Sequence, residues 1–203
     1  MDRGAIVGLI LAGGRARRFE GGRKDLALLH GKPLIGHVIV RAQPQVRALA
    51  ISRAGELGEA DMAVIRDRYP NSGPLAGVQA GLAWARELSP PAGFLATFAC
   101  DTPLLPPDLV ERLYRGMQDA GAAAAIAATG EARHPTLALW STKLEPLARS
   151  RLESGQRSLL GLADAAGAAV VDFGEAAAIA FANVNTLADL AGIAAQIAAA
   201  TGK

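Results

Sequence analysis

The chain has 203 residues, of which 51% are hydrophobic, 20% charged and 4% aromatic, a composition that excludes a disordered protein and predicts one domain, 1–203, with an apolar core. The single cysteine, Cys100, excludes a disulfide framework, and the low aromatic content argues against a surface that stacks nucleic acid bases. The 21 basic and 19 acidic residues leave a formal net charge of +2, so the feature to explain is a local cluster of cations between positions 15 and 32.

Short apolar runs alternate with stretches of helical spacing along the chain. The first run, 6–11, ends before two glycines and is typical of a strand buried on both faces. Helices are predicted at 33–40, where the proline suits the first turn, and at 75–88, and a buried strand at 94–99. The other predicted elements are strands at 49–51, 62–65, 122–128, 136–140 and 169–173, and helices at 106–120, 143–153, 158–166 and 186–200. The run 122–128 is rich in alanine, so a helix is the alternative there.

This alternation predicts an α/β fold, in which a mostly parallel central sheet is covered by helices on both faces. Sheets of this kind bind ligands beyond the carboxyl ends of their strands, near the point where the strand order reverses. The apolar residues 4–14 lack the cleavage site of a signal peptide, and no apolar run reaches the ~18 residues of a membrane span. We therefore expect a cytoplasmic protein that binds neither a membrane nor nucleic acid.

The segment after the first predicted strand is rich in glycine and in cations. Glycines let backbone N–H groups approach the oxygens of a polyphosphate, and cations offset its charge. The spacing matches neither the dinucleotide-binding fingerprint nor the Walker loop. From these residues alone, a polyphosphate site and a solvated basic turn are equally open. The residues concerned are Gly13, Gly14, Arg15, Arg17, Arg18, Gly21, Gly22, Arg23 and Lys24.

An acidic residue, Asp101, follows the predicted strand at 94–99 and precedes Pro103. A carboxylate in this place can hold Mg²⁺, which proteins bind through one or two carboxylates together with substrate phosphates. It can also serve as a turn residue before proline. From the local sequence alone, the turn role is the more common of the two.

Four blocks in register resemble the signature of the molybdenum cofactor guanylyltransferases, the MobA family of the nucleotidyltransferase superfamily. The first block marks only the superfamily, but the four together span nearly the whole chain and are specific. Relatives that transfer a cytidylyl group more often have Ala-Gly at 13–14 and lack the second block. The blocks are Leu-Ala-Gly-Gly at 11–14 with Arg18, Lys24 and 31–34; Gly-Pro-Leu-Ala-Gly at 73–77; Cys100-Asp101-x-Pro103; and Asn-Val-Asn-Thr at 183–186.

The resemblance implies a single Rossmann-like three-layer domain, similar to nucleotide-diphospho-sugar transferases, that transfers GMP from GTP to molybdopterin or Mo-molybdopterin with Mg²⁺. It implies that Arg18, Lys24 and Asp101 are catalytic and that Asp101 holds the metal. It also implies a monomer or weak oligomer, with molybdoenzyme chaperones or other proteins of the cofactor pathway as partners. The implied binding residues are Leu11, Ala12, Gly13, Gly14, Arg15, Lys24, Asp67, Gly73, Pro74, Leu75, Ala76, Gly77, Asn183 and Asn185.

The chain departs from the family pattern at Arg23, where an acidic residue usually precedes the loop lysine. Either Asp25 supplies the missing carboxylate, or the loop is more cationic than usual. Asp67 either lies near the guanine and ribose, as an acidic residue does in relatives, or pairs with its arginine neighbours. We expect Cys100 to be a packing residue rather than a nucleophile. His134 is a candidate substrate contact.

Alternatives also stay open for the start of the last helix and for the reaction. Asn183 and Asn185 either lie in the active site, as in the family, or cap the helix at 186–200, for which Thr186 is the other candidate cap. Two rival functions also stay open. One is a related nucleotidyltransferase that transfers CMP to molybdopterin or a nucleotidyl group to a sugar phosphate, and the other is a homologue that binds nucleotide or cofactor without turnover.

Overall fold

The computed structural model describes residues 3–12, 24–53, 62–66, 68–69 and 72–201. Strands and helices alternate along these residues. The strands are β1 (Ile6–Leu11), β2 (Leu28–Leu29), β3 (Lys32–Pro33), β4 (Leu49–Ser52), β5 (Ala63–Ile65), β6 (Phe94–Ala99), β7 (Ala124–Thr129), β8 (Ala132–Ser141) and β9 (Ala169–Asp172). The α-helices are α1 (Leu34–Ala42), α2 (Pro74–Glu87), α3 (Leu109–Asp119), α4 (Glu145–Glu153), α5 (Leu159–Ala165) and α6 (Leu187–Thr201).

Seven of the strands form one sheet in the order β5-β4-β1-β6-β8-β7-β9. Within it, β8 runs antiparallel to both of its neighbours, and the other neighbouring pairs are parallel. The chain places β4 and β5 on one side of β1 and then returns to place β6 on the other side. The strand order therefore reverses between β1 and β6, which is where open α/β sheets bind ligands. The predicted α/β fold with a mostly parallel sheet is confirmed.

Helices cover both faces of this sheet. On one face, α1 and α3 pack on side chains that include Ile10 and Phe98, and on the other, α2, α4 and α5 pack on Leu9 and Trp140. Ile10 and Leu9 are neighbours in β1 and belong to different clusters because successive side chains of a strand point to opposite faces. Among the described helices, none has the length and apolar character needed to cross a bilayer.

The structure differs from the predicted elements in the starts of β8 and α3 and in short elements that were not predicted. Strand β8 begins at Ala132 rather than at 136, because its first residues pair with the end of β7 in a hairpin. Helix α3 begins at Leu109 rather than at 106, because a residue that precedes a proline is disfavoured in the helical conformation and Pro106 precedes Pro107. The short strands β2 and β3, and a 3₁₀ helix at Glu175–Phe181, were not predicted. The β2–β3 hairpin packs on α6 through a third cluster that contains Leu29 and Ile193.

Candidate active site

Backbone hydrogen bonds join the loops that follow β1, β4 and β6. The N–H of Ala12 donates to the carbonyl of Ser52 at 2.9 Å, and the N–H of Cys100 donates to the carbonyl of Leu11 at 3.4 Å. The segment before α6 reaches the same place, since the N–H of Val184 donates to the carbonyl of Asp101 at 2.9 Å. Chain segments that are distant in sequence therefore meet where the strand order reverses.

Lys24 lies between Asp101 and Asn185 at this edge of the sheet. Its Nζ atom pairs with Oδ2 of Asp101 and donates to Oδ1 of Asn185 at 2.6 Å. The side chains of Lys24 and Asp101 are 15% and 18% exposed, so both groups are partly shielded from water and still open to a ligand. A cation, a carboxylate and an amide are thus brought together from three of the four sequence blocks.

Thr102 holds the side chain of Asn183, the other asparagine of the predicted site. Its buried hydroxyl donates to Oδ1 of Asn183 at 2.8 Å. In Asn183, as in Asn185, the amide oxygen therefore accepts a hydrogen bond from within the protein. Among the described residues, nothing accepts a hydrogen bond from the amide N–H groups of these two side chains, which suits donation to the oxygens of an anionic substrate. Sequence reasoning missed Thr102, although the residue lies between Asp101 and Pro103.

The start of α6 is stabilised by a capping box. The hydroxyl of Thr186 accepts from the N–H of Asp189 at 3.1 Å, and Oδ2 of Asp189 accepts from the N–H groups of Asn185 and Thr186 at 2.8 and 2.9 Å. These bonds, helped by the charge of Lys24, hold the pKa of Asp189 below its ordinary value. Of the three candidate caps, Thr186 is confirmed, whereas the side chain of Asn185 contacts Lys24 and that of Asn183 contacts Thr102.

Cys100 lies next to the ion pair, in an environment that disfavours its thiolate. Burial, together with the negative charges of Asp101 and Asp25, raises the pKa of its thiol to about 12. A thiol with this pKa stays protonated at neutral pH, and only the thiolate is reactive. The prediction that Cys100 is a packing residue is in agreement with this environment.

The segment 73–77 forms the start of α2. Gly73 has φ +71° and precedes Pro74, which occupies the first helical turn. The side chains of Leu75 and Ala76 are buried in the core, so a ligand would meet their backbone. A Cβ on Gly77 would lie 2.6 Å from Oγ of Ser52, which means that packing of α2 on β4 by itself requires this glycine. The resemblance implies a binding role for Gly77, and the structure shows a packing reason for a glycine at this position.

We expect Gly77→Ala to lower the free energy of unfolding by about 1–3 kcal/mol, because the new Cβ would lie too close to the buried side chains of Ser52 and Leu11. Urea unfolding of the purified variant measures this change. Gly36→Ala in α1 is the matched control, since the one atom of the described residues near its new Cβ would be Cδ of Pro33 at 4.0 Å, and alanine favours a helix. Equal stability of the two variants would contradict the packing explanation.

His134 lies near the start of β8, which reaches the carboxyl ends of its neighbours because β8 runs antiparallel to them. Its Nε2 is 2.9 Å from the hydroxyl of Thr129, and its ring stacks on Phe181 with the centroids 5.0 Å apart. Burial lowers the pKa of His134, which favours a neutral ring. These contacts explain its position, and its role as a substrate contact stays a prediction.

The donor groups at this edge fit Mg²⁺ that arrives with a phosphorylated substrate. Within the described ranges, no group of three or more His, Cys, Asp and Glu side chains could enclose a metal ion. Asp101 offers a carboxylate at the carboxyl end of β6, and Mg²⁺ commonly takes one or two carboxylates together with phosphate oxygens. Asp101 is therefore suited to a metal whose remaining ligands come from substrate and water.

Part of the predicted site falls in segments that are not described. The structure brings together the side chains of Lys24, Asp101 and Asn185, with Asn183 and the backbone of Leu11 and Ala12 beside them. The remaining predictions stay predictions. Those that lie outside the described residues are Gly13, Gly14, Arg15, Arg17, Arg18, Arg23 and Asp67.

Similarity to known proteins extends over most of the chain. Residues 8–169 match the family model described as MobA-like NTP transferase domain. The chain is 41% identical over 189 residues to a molybdenum cofactor guanylyltransferase of Serratia proteamaculans, with 91% of each chain covered. It is 39% identical to one of Cereibacter sphaeroides, covering 92% of this chain and 94% of that one. The fold is that of molybdopterin-guanine dinucleotide biosynthesis protein A from Archaeoglobus fulgidus, with a TM-score of 0.76, 24% identity, and 95% of this chain and 98% of that one covered.

Proposed function

The chain belongs to the MobA-like NTP transferase family, and we propose that it transfers GMP from GTP to molybdopterin or Mo-molybdopterin, which forms the guanine dinucleotide cofactor and releases pyrophosphate. The observation that carries this proposal is the contact of Lys24 with Asp101 and Asn185 at the reversal of the strand order. The names of relatives that are about 40% identical over nine-tenths of the chain support the choice of GMP and molybdopterin.

The reaction is a substitution at phosphorus. A terminal phosphate oxygen of molybdopterin forms a bond to the α-phosphorus of GTP, and the bond from this phosphorus to the bridging oxygen breaks as pyrophosphate leaves. No covalent enzyme intermediate is needed, so catalysis rests on positioning and on electrostatic stabilisation. Lys24 would donate to the phosphate oxygens, and Arg15 and Arg18 are proposed to lie along the same phosphates.

Asp101 would hold Mg²⁺, which when bound offsets negative charge on the phosphates. The ammonium group of Lys24 pairs with Oδ2 of Asp101 in this structure. Binding of substrate and metal therefore requires this ammonium group to shift toward the phosphates. Asn185 would guide that shift because it already accepts a hydrogen bond from the same Nζ atom. The N–H groups of Asn183 and Asn185 would donate to phosphate oxygens of the substrates.

The guanine base is proposed to lie over the end of β1 and the start of α2. The predicted base-binding residues are Leu11, Ala12, Gly13, Gly14 and the segment 73–77, with Asp67 near the base and ribose. Because Leu75 and Ala76 are buried, the contacts from α2 would come from its first backbone N–H groups, and a helix N-terminus favours electronegative groups.

Choice of nucleotide separates the proposal from its rivals. Release of pyrophosphate is measured with molybdopterin and either GTP or CTP, and then with both nucleotides in competition. We expect release with GTP and weak competition by CTP. A preference for CTP would favour transfer of CMP, release with a sugar phosphate as acceptor would favour the related transferases, and binding of GTP without release would favour a binding protein.

Further proposals concern how the protein works in the cell. We propose that 1–203 acts as one domain, as a monomer or weak oligomer, in the cytoplasm, where GTP is supplied. The high coverage of the relatives supports the single domain. Molybdoenzyme chaperones and other proteins of the cofactor pathway are the proposed recipients of the product.

We expect Thr102→Val to lower kcat for GMP transfer by about 10- to 100-fold, because Asn183 loses the hydroxyl that orients it and small displacements in an active site are costly. Initial rates of pyrophosphate release measure the effect. Thr102→Ser keeps the hydroxyl and should retain most of the activity. If both variants lose the same activity, the hydroxyl is not the cause.

A further inference from the structure

An interior ion pair joins Asp25 to Arg53. Oδ2 of Asp25 and Nη2 of Arg53 are 3.5 Å apart, and each side chain is only 7% exposed. Asp25 directly follows Lys24 in the 3₁₀ turn Lys24–Leu26, and Arg53 directly follows the last residue of β4. The ion pair therefore connects the turn that carries the catalytic lysine to the carboxyl end of a sheet strand.

The Arg53 side of this connection is rigid. The N–H of Arg53 donates to the carbonyl of Ile65 at 3.3 Å, and the preceding Ser52 is in register with Leu11 of β1. The Nη1 atom of Arg53 is buried, and none of the described residues provides it with a hydrogen-bond acceptor. A buried guanidinium that is incompletely satisfied depends strongly on its counter-ion, so the carboxylate of Asp25 is held firmly in place.

The turn that carries Lys24 needs an attachment to the sheet. A lysine has a flexible four-carbon stem, and its ammonium group reaches two acceptors at once only when its backbone is held in place. Here Nζ contacts both Asp101 and Asn185. The carbonyl of Lys24 accepts from the N–H of Ala27 at 3.1 Å, which closes the turn locally but does not attach it to the sheet.

We propose that Asp25 and Arg53 are positioning residues for Lys24, and that Asp25 is not a second carboxylate for the metal. This inference rests on the proposed function of the site around Lys24 and Asp101. It also answers the question that Arg23 raises, because the carboxylate next to Lys24 is directed to Arg53 in the interior while Asp101 remains at the edge.

Reductive methylation followed by mass spectrometry tests the positioning of Lys24 without any need for turnover. In Asp25→Asn and in Arg53→Gln, we expect Lys24 to be methylated about tenfold faster than in the unaltered protein, because its protection is lost. The exposed Lys143 is the internal control and should react at an unchanged rate. An unchanged rate at Lys24 in both variants would overturn the proposal.

The same variants separate positioning from metal binding. With GTP present, Mn²⁺ binding is followed by electron paramagnetic resonance. We expect Asp101→Asn to weaken it about tenfold or more and Asp25→Asn to change it by less than about threefold. The double variant Asp25→Asn/Arg53→Gln should have no lower kcat than the worse single variant, because the two residues act as one unit. Equal weakening of Mn²⁺ binding by Asp25→Asn and Asp101→Asn would overturn the proposal.

A further variant covers the case in which Arg53→Gln does not fold. Arg53→Lys keeps the positive charge, and we expect it to fold with Lys24 methylation between that of the unaltered protein and that of Asp25→Asn. Methylation of Lys24 as slow as in the unaltered protein, combined with loss of kcat, would count against positioning. If the unaltered protein shows no GMP transfer while Lys24 responds as expected, the proposed function fails and the positioning role stands.

Discussion

Asp101→Asn is expected to lower kcat for GMP transfer by about 100-fold or more, since loss of one preorganised group that stabilises charge in a transition state has effects of this size. The amide has the shape of the carboxylate but no negative charge, so it is a poor metal ligand and leaves Lys24 without its counter-ion. Because Asp101 is at the edge of the sheet and outside the core clusters, we expect the variant to remain folded.

Pyrophosphate release and thermal unfolding of the purified Asp101→Asn variant measure the two effects. Asp119→Asn, at the exposed end of α3, makes the same chemical change far from the site and should keep normal activity. An Asp101→Asn variant with kcat within about threefold of the unaltered protein would show that no essential charge is held there.

Lys24→Met is expected to have the second large effect, a loss in kcat of about 100-fold. Methionine preserves the apolar stem of lysine and removes the ammonium group that we place on the phosphates. Lys143→Met, at an exposed position, is the control. Retention of most of the activity by Lys24→Met would contradict the assignment of Lys24.

The Lys24→Met variant also distinguishes the roles of the two charges. Without the ammonium group, Oδ2 of Asp101 is no longer occupied, so Mn²⁺ should bind at least as well as to the unaltered protein when GTP is absent. Asp101→Asn should instead weaken Mn²⁺ binding. If Mn²⁺ binding weakens in both variants, the assignment of Lys24 to the phosphates and of Asp101 to the metal would be contradicted.

Buried parallel strands were the most predictable part of the fold. The runs 6–11 and 94–99 are apolar throughout because both faces of β1 and β6 are covered, and their bounds agree with the structure. Strands β2 and β3 have two residues each, too few to show any periodicity. The 3₁₀ helix Glu175–Phe181 is apolar at every position after Glu175, so its sequence shows no periodicity from which an element could be predicted.

The sequence made Lys24 and Asp101 candidates for a related reason, and their role in the reaction stays a prediction. Lys24 and Asp101 belong to motifs that follow strands, and parallel strands end at the same edge of a sheet. Thr102 and Arg53 could not be identified because their roles depend on the contacts to Asn183 and Asp25, which exist only in the folded chain. The packing role of Gly77 could not be predicted either. The sequence alone does not distinguish a glycine that faces a ligand from a glycine that packs against a strand.

The structure also separates two members of the cationic cluster between positions 15 and 32. Lys24 and Lys32 both belong to it, but Lys24 is turned inward onto Asp101 and Lys32 is exposed in β3. Closeness in sequence therefore does not make these two cations one binding surface. The arginines of the cluster at 15, 17, 18 and 23 lie outside the described residues.

The central claim is that this chain moves the guanylyl group of GTP onto molybdopterin, and one measurement tests it most directly. The purified protein is incubated with molybdopterin, Mg²⁺ and GTP labelled in the α-phosphate, and the products are separated and identified by mass spectrometry. We predict that the label appears in molybdopterin guanine dinucleotide with an equal amount of pyrophosphate, and that Asp101→Asn forms almost none. Label that stays in GTP, with no dinucleotide formed by the unaltered protein, would contradict the claim.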